Sequence, residues 1–176
     1  MVQLMVVGWL ANAGCDSPKG TFIALDSDFA TFLSWERISV GDAPLAGHPP
    51  GPRYVYLSKR APKGASEYPI GTLVVKSVEN DPDPSRWEVF AMTKRGGDFN
   101  ARGAKNWEFF RLRIVDGTPL ILTRGLFAYD PDVDGGISPY PGAPTAALAD
   151  LCNGCHGTAA SAATDHLLSP GLAPGG

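Results

Sequence analysis

The chain has little of what most ligand-holding or membrane-spanning proteins rely on. It has 176 residues but only three cysteines and three histidines. Metal sites and disulfide frameworks must therefore be built from very few positions. It has no basic excess: 15 Lys and Arg stand against 18 Asp and Glu, a net charge of −3, which argues against nucleic acid as a partner. No apolar run reaches the about 20 residues a membrane helix needs, and no internal repeat suggests a solenoid. Glycine and proline, by contrast, are plentiful at 21 and 16, which favours many loops and few long helices. The length suits one domain with its own core.

The opening fifteen residues, "MVQLMVVGWLANAGC", are apolar, turn to small residues and stop at Cys15. A short apolar run before small residues resembles a secretory signal. Small residues before a cysteine also resemble a lipoprotein cleavage site, with Cys15 as the lipid-bearing residue. No Lys or Arg precedes the run, and Asn12 stands where an aliphatic residue is usual. A buried N-terminal strand with an incidental cysteine is the alternative. Residues 16–25 then read as a linker, 26–169 as the domain and 170–176 as a frayed tail.

Within the domain, Asp26 and Ser27 are cap-type residues followed by Phe29, Phe32 and Leu33 at helical spacing. Strand character follows at 36–40, 53–59, 71–79, 86–94 and 106–114. The stretch 115–143, rich in Gly, Pro and Asp, reads mostly as loop. Residues 144–156 read as a helix opened by Pro144 and Thr145, and 158–168 as a second short one. Consecutive strands with short connections predict an α+β domain: an antiparallel sheet of about five strands, with helices from both ends of the chain.

Two of the three cysteines and one histidine sit together in "LCNGCHGT", as Cys152, Cys155 and His156. Cys-x-x-Cys-His is the attachment signature of a c-type haem. Two thiols reach the vinyl groups on one porphyrin edge, and the adjacent imidazole reaches the iron from the same side. A zinc site would need four ligands, and His48 and His166 stand in no such pattern. A thioredoxin-like pair would follow a strand in a βαβ unit, a rhythm this chain lacks. A structural disulfide would not need His156. Covalent haem attachment takes place outside the cytoplasm, in keeping with the export reading. Small cytochromes c are mostly helical with an early motif; this chain is strand-rich with a late one.

One strand, within "YPIGTLVVKSVE", carries an unexpected residue. Strand neighbours on one face lie two apart, so Lys76 shares a face with Val74 and Val78 on a strand apolar on both sides. Either Lys76 lies near the strand end and snorkels to water, or it is buried and needs a partner or a shifted pKa.

Four stretches in order, "FLSWERISVG" with "PRYVYLSK", "YPIGTLVVKSV", "AMTKRGGDFN…NWEFFRL" and "LCNGCHGTAASAATDHLL", resemble the cytochrome P460 family and its close relatives, the cytochromes c′-β. The resemblance implies a five-stranded antiparallel sheet with flanking helices, usually dimeric, and a five-coordinate haem with His156 on the proximal side. In P460 members a lysine of the Gly-Thr-x-x-Val-Lys strand is bonded to the porphyrin, and Lys76 matches it. The implied activity is oxidation of hydroxylamine, with or without nitric oxide, and electron transfer to a cytochrome. The c′-β relatives share the fold, lack the cross-link and bind gases. Oxidising members are expected to have a distal acid. Asp150, beside the motif, is the candidate; Glu79, Asp98 and Glu108 read as solvated surface groups. Met92 is a candidate sixth ligand for a plain electron carrier, with core packing as its ordinary reading. Asp165 is either an orienting group on the proximal side or a helix-surface acid.

Overall fold

Residues 20–42, 50–128 and 152–175 are described by a computed structural model of the chain. The β-branched and alternating stretches form β1 (Glu36–Gly41), β2 (Arg53–Leu57), β3 (Leu73–Val78), β4 (Glu88–Lys94) and β5 (Trp107–Val115). A sixth strand, β6 (Thr118–Gly125), follows within the region expected to be loop. All six lie in one antiparallel sheet whose spatial order is their chain order. The sheet therefore exceeds the expected five strands by one.

The missed strand has a local cause. Asp116 and Gly117 both take positive φ, 49° and 77°, between the paired residues Val115 and Thr118. This is a two-residue primed turn, for which Asp-Gly is the favoured sequence. β6 contains Pro119, which is tolerated because β6 is an edge strand.

Each face of the sheet supports its own core. On the first, Tyr56, Leu73, Val75, Val89, Ala91, Phe110 and Leu112 pack with Phe29 and Phe32. Those two phenylalanines belong to the expected N-terminal helix, which is split into α1 (Asp26–Phe29) and a 3-10 turn at Phe32–Ser34. On the second face, Val55, Leu57, Val74, Met92, Trp107 and Phe109 pack with Leu167 and Leu172 from the C-terminal segment. The N-terminal elements thus cover one face and the C-terminal segment the other. Burying each such aliphatic or aromatic side chain contributes about 1.5–3 kcal/mol.

The domain also extends further than its expected limits. The supposed linker is pinned by an antiparallel bridge between Thr21 and Gly96, a Phe22 N–H bond to the Arg95 carbonyl at 2.9 Å, and a fully buried Ala24. The supposed tail contains a 3-10 turn at Pro170–Leu172. Leu172 is buried there, and its carbonyl accepts the Tyr68 hydroxyl at 2.9 Å. No helix among the described residues is long and apolar enough to cross a membrane. Residues 1–15, Cys15 and His48 lie outside the described residues.

Candidate functional site

The Cys-x-x-Cys-His motif lies on α2, helical at residues 152–156. Asn153, an unconstrained position of the motif, is what fastens it. Its Oδ1 accepts the Asn100 side-chain amide at 2.9 Å and the Ala104 backbone N–H at 3.0 Å, and its Nδ2 donates to Asn100 Oδ1 at 3.1 Å. Asn100, Gly103 and Ala104 belong to the β4–β5 loop, so that loop clamps the motif. Two glycines allow the approach. A Cβ on Gly157 would meet the Asn153 carbonyl oxygen at 2.7 Å and the Gly103 Cα at 2.9 Å. A Cβ on Gly103 would fall within 2.2 Å of Asn153 Oδ1. In the sequence, 95–105 stands only as the connection between two strands, and its glycines and Asn100 are the signal of a further role.

Both thiols of α2 are unbonded, Cys152 half-buried and Cys155 exposed. Burial pushes the Cys152 thiol up to about 11, with the Cys155 sulfur acting in the same direction and a backbone bond from Ala128 opposing. Cys152 packs against the second core, directing the motif toward the sheet.

His156 is held by its own chain ten residues later. Its Nδ1 lies 2.7 Å from the His166 carbonyl oxygen. A carbonyl only accepts, so Nδ1 carries the proton and Nε2 keeps the lone pair. Burial lowers the pKa of His156, and the charge of Lys76 and the neighbouring His166 act the same way, against the His166 carbonyl. The imidazole is therefore neutral at pH 7 and can ligate a metal through Nε2. Its ring stands 5.6 Å, centroid to centroid, from that of Phe109, a second-face residue of β5.

Lys76 lies on that same face. Strand alternation sets it between Val74 and Val78, with Val55 on β2 and Phe90 on β4 as its cross-strand partners. It is half-buried. Burial pulls its amine down from 10.5 to about 8, and the Arg53 charge adds to the shift. Lys76 thus has the shifted pKa of the second reading: its uncharged, nucleophilic fraction at neutral pH exceeds that of an ordinary lysine. Arg111 shares the face, its guanidinium 4.8 Å from the centroid of the Phe90 ring. The fold thus brings Lys76 near enough for its charge to act on His156, although they are far apart in the chain.

The other candidates divide. Met92 is buried in the second core, opposite Val74 and Phe109. Asp150 lies outside the described residues. Asp98 is exposed and pairs with Lys105 at 3.8 Å. Glu79 and Glu108 are not the solvated groups expected. Glu79 accepts from Arg37 at 2.6 Å and from the Tyr56 and Ser77 hydroxyls, each at 2.7 Å. Glu108 is 2% exposed, doubly bonded by Arg124 at 2.8 Å and approached by Arg95 at 3.1 Å. Alternation puts Glu108 on the first face, beside Phe110 and away from Lys76. Asp165 is no helix-surface acid. It is buried, pairs with Lys94, lies 3.4 Å from the Trp107 indole nitrogen and accepts the Tyr68 N–H at 2.8 Å. Alternation also sets Glu88 on the Lys76 face, diagonal to Lys76 across the β3–β4 pair, a position sequence reading passed over.

Compared with protein-family models, curated proteins and solved structures, the chain has no match in any of the three.

Proposed function

We propose that this chain is an exported mono-haem c-type cytochrome of the P460 type, which oxidises hydroxylamine, with or without nitric oxide, and passes electrons to an acceptor cytochrome. The observation that carries the reading is the convergence of Lys76 with the Cys-x-x-Cys-His helix on one sheet face. The donor set fits a covalently bound haem c. Cys152 and Cys155 are two unbonded thiols one helical turn apart, suited to two thioethers. His156 keeps its Nε2 lone pair for iron, and Phe90, Met92 and Phe109 supply apolar walls. When bound, such a haem supplies the redox centre and an open coordination position for a small nitrogenous substrate.

The chain's own residues set the surroundings of that centre. His156 provides the proximal imidazole in a fixed tautomer. Lys76, with its depressed pKa, is suited to bond to the porphyrin edge. Asp150 remains the candidate distal acid. Export through the N-terminal segment, lipidation at Cys15 and a homodimer belong to the same proposal.

The test is the ferrous spectrum joined to mass spectrometry of the haem peptide. A Soret band shifted far to the red, and a haem peptide carrying both the Lys76 and the CNGCH segments, are expected. Lys76→Arg keeps charge but changes the head group, so it should restore ordinary c-type bands while haem stays attached through Cys152 and Cys155. A Cys152→Ala, Cys155→Ala double variant should lose haem staining on a denaturing gel; staining that survives sinks the haem assignment. A second reading is a gas-binding protein of the c′-β kind, to which an unbonded Lys76 side chain and the apolar Phe90, Met92 and Phe109 are equally suited. It predicts five-coordinate, ordinary c-type bands and a haem peptide without Lys76.

A further inference from the structure

His166 stands outside the Cys-x-x-Cys-His signature, and both its ring nitrogens are engaged by the protein. Resting on the haem reading above, we propose that His166 is a positioning residue that locks the proximal imidazole by a reciprocal exchange of ring-to-backbone hydrogen bonds. The His156 Nδ1–H donates to the His166 carbonyl at 2.7 Å, and the His166 Nδ1 lies 2.6 Å from the His156 carbonyl. Each ring thus holds the other's backbone. The second bond fixes the tautomer of His166 too: Nδ1–H donates, and Nε2 accepts the Lys105 N–H at 3.2 Å. Both nitrogens of His166 are committed, so it competes for no metal. The His156 carbonyl also lies 2.6 Å from the Ser161 hydroxyl, which occupies its second lone pair.

The carbonyl that receives His156 is aimed by an unusual backbone. Asp165 and His166 both adopt left-handed conformations, φ 49° and 68°. The His166 N–H returns to the Ser161 carbonyl at 2.7 Å, closing the end of α3 (Ala159–Ala162). Two successive non-glycine residues in this region are strained and persist only where surroundings over-determine them. The surroundings here are the Lys94 ammonium and Trp107 indole on the Asp165 carboxylate, and the Lys105 backbone on the His166 ring. The geometry therefore runs from β4 and β5 through Asp165 and His166 to His156. A short Nδ1–H bond to a carbonyl orients a ligating imidazole and raises its basicity. Stronger donation to iron favours the ferric state, so the lock lowers the reduction potential.

The test uses the haem-loaded chain and three variants: His166→Ala, His166→Gly and His166→Asn. Asn tolerates positive φ, and its amide nitrogen occupies the Nδ1 position, so it keeps the bond to the His156 carbonyl. Gly removes the ring without adding backbone strain. The readouts are the iron–histidine stretching frequency of the ferrous protein by resonance Raman and the reduction potential. For Ala and Gly, the expected result is a lower, broader iron–histidine band and a more positive potential; Asn should return both toward wild type. Unchanged Raman bands in a Gly variant that retains haem staining and its circular dichroism would overturn the proposal. Should the variants fail to fold, the wild-type protein still decides. In the diamagnetic ferrous carbonyl form, the His156 Nδ1 proton should be visible by nitrogen-edited NMR and protected from exchange. A rapidly exchanging Nδ1 proton overturns the lock. Absence of covalent haem from the wild type would instead refute the haem reading, a separate outcome.

Discussion

Lys76 places an ammonium among Val74, Val78 and Phe90 on the second sheet face. Its folded pKa of about 8 lies below the ordinary 10.5. Between those values the unfolded chain holds the proton and the folded chain does not, so stability rises with pH across that window. Below pH 8 the full penalty of a charged amine in this position is present. In haem-free chain, Lys76→Met should therefore be more stable than wild type by about 1–3 kcal/mol at pH 7. The gap should close as the pH approaches 10.5. Urea midpoints at pH 7 and pH 10 measure both ends; a gap that ignores pH would mean that the amine reaches water in the folded state. At the same scale, Glu79 and Glu108 are ion-paired where the sequence suggests solvated groups. A carboxylate's sequence neighbours do not reveal the arginines, here Arg37 and Arg124, that fold brings to it.

At the scale of elements, the α2 helix depends on how closely it approaches the β4–β5 loop. Gly103 and Gly157 meet with no room for a methyl group between them. Gly157→Ala should force the two backbones apart and cost about 1–3 kcal/mol. It should also loosen Asn153 from Asn100 and Ala104, which hydrogen exchange at the Ala104 amide would report. Normal protection in the variant would show that the loop can yield. The Asp116–Gly117 turn is a second point of local dependence. Gly117 has φ 77° and open space around it, so Gly117→Ala should cost about 1 kcal/mol through backbone conformation alone. Thermal unfolding of this variant checks it, with Gly154→Ala as a helical control that meets no neighbour.

For the whole molecule, the decisive contact is the buried pair between Lys94 on β4 and Asp165 in the C-terminal segment. Their side chains are 2% and 4% exposed, and Glu67 approaches the same ammonium at 3.3 Å. Removing one partner strands the other in a dry setting, which typically costs 3–5 kcal/mol. Asp165→Asn and Lys94→Met should each destabilise by about that amount, and the double variant by clearly less than their sum. Additive losses in a double-mutant cycle would mean that the two charges act independently. Asp165→Asn should also weaken the docking of Tyr68 and Leu172, because its carboxylate accepts the Tyr68 N–H.

The sequence by itself determined the local chemistry and the local geometry. Cys152, Cys155 and His156 were legible because their spacing is set by bond lengths along one helical turn. Five strands were legible from β-branched, aromatic and alternating stretches, and the two-residue period of a strand set Lys76 on one face with Val74 and Val78. Even β6 has a local signal, the Asp116–Gly117 turn, within a stretch whose Gly, Pro and Asp content reads as loop. What only the tertiary structure decided is which segment covers which face. Alternation tells which residues share a side, but not whether residues from the start or the end of the chain will lie upon it. Contacts such as Tyr68 with Asp165 and with Leu172 join positions 97 and 104 residues apart, and no periodicity encodes such pairings. His166 was legible only as a spare histidine for the same reason: its role depends on a carbonyl aimed by a left-handed turn, and that turn is held by charges from another strand.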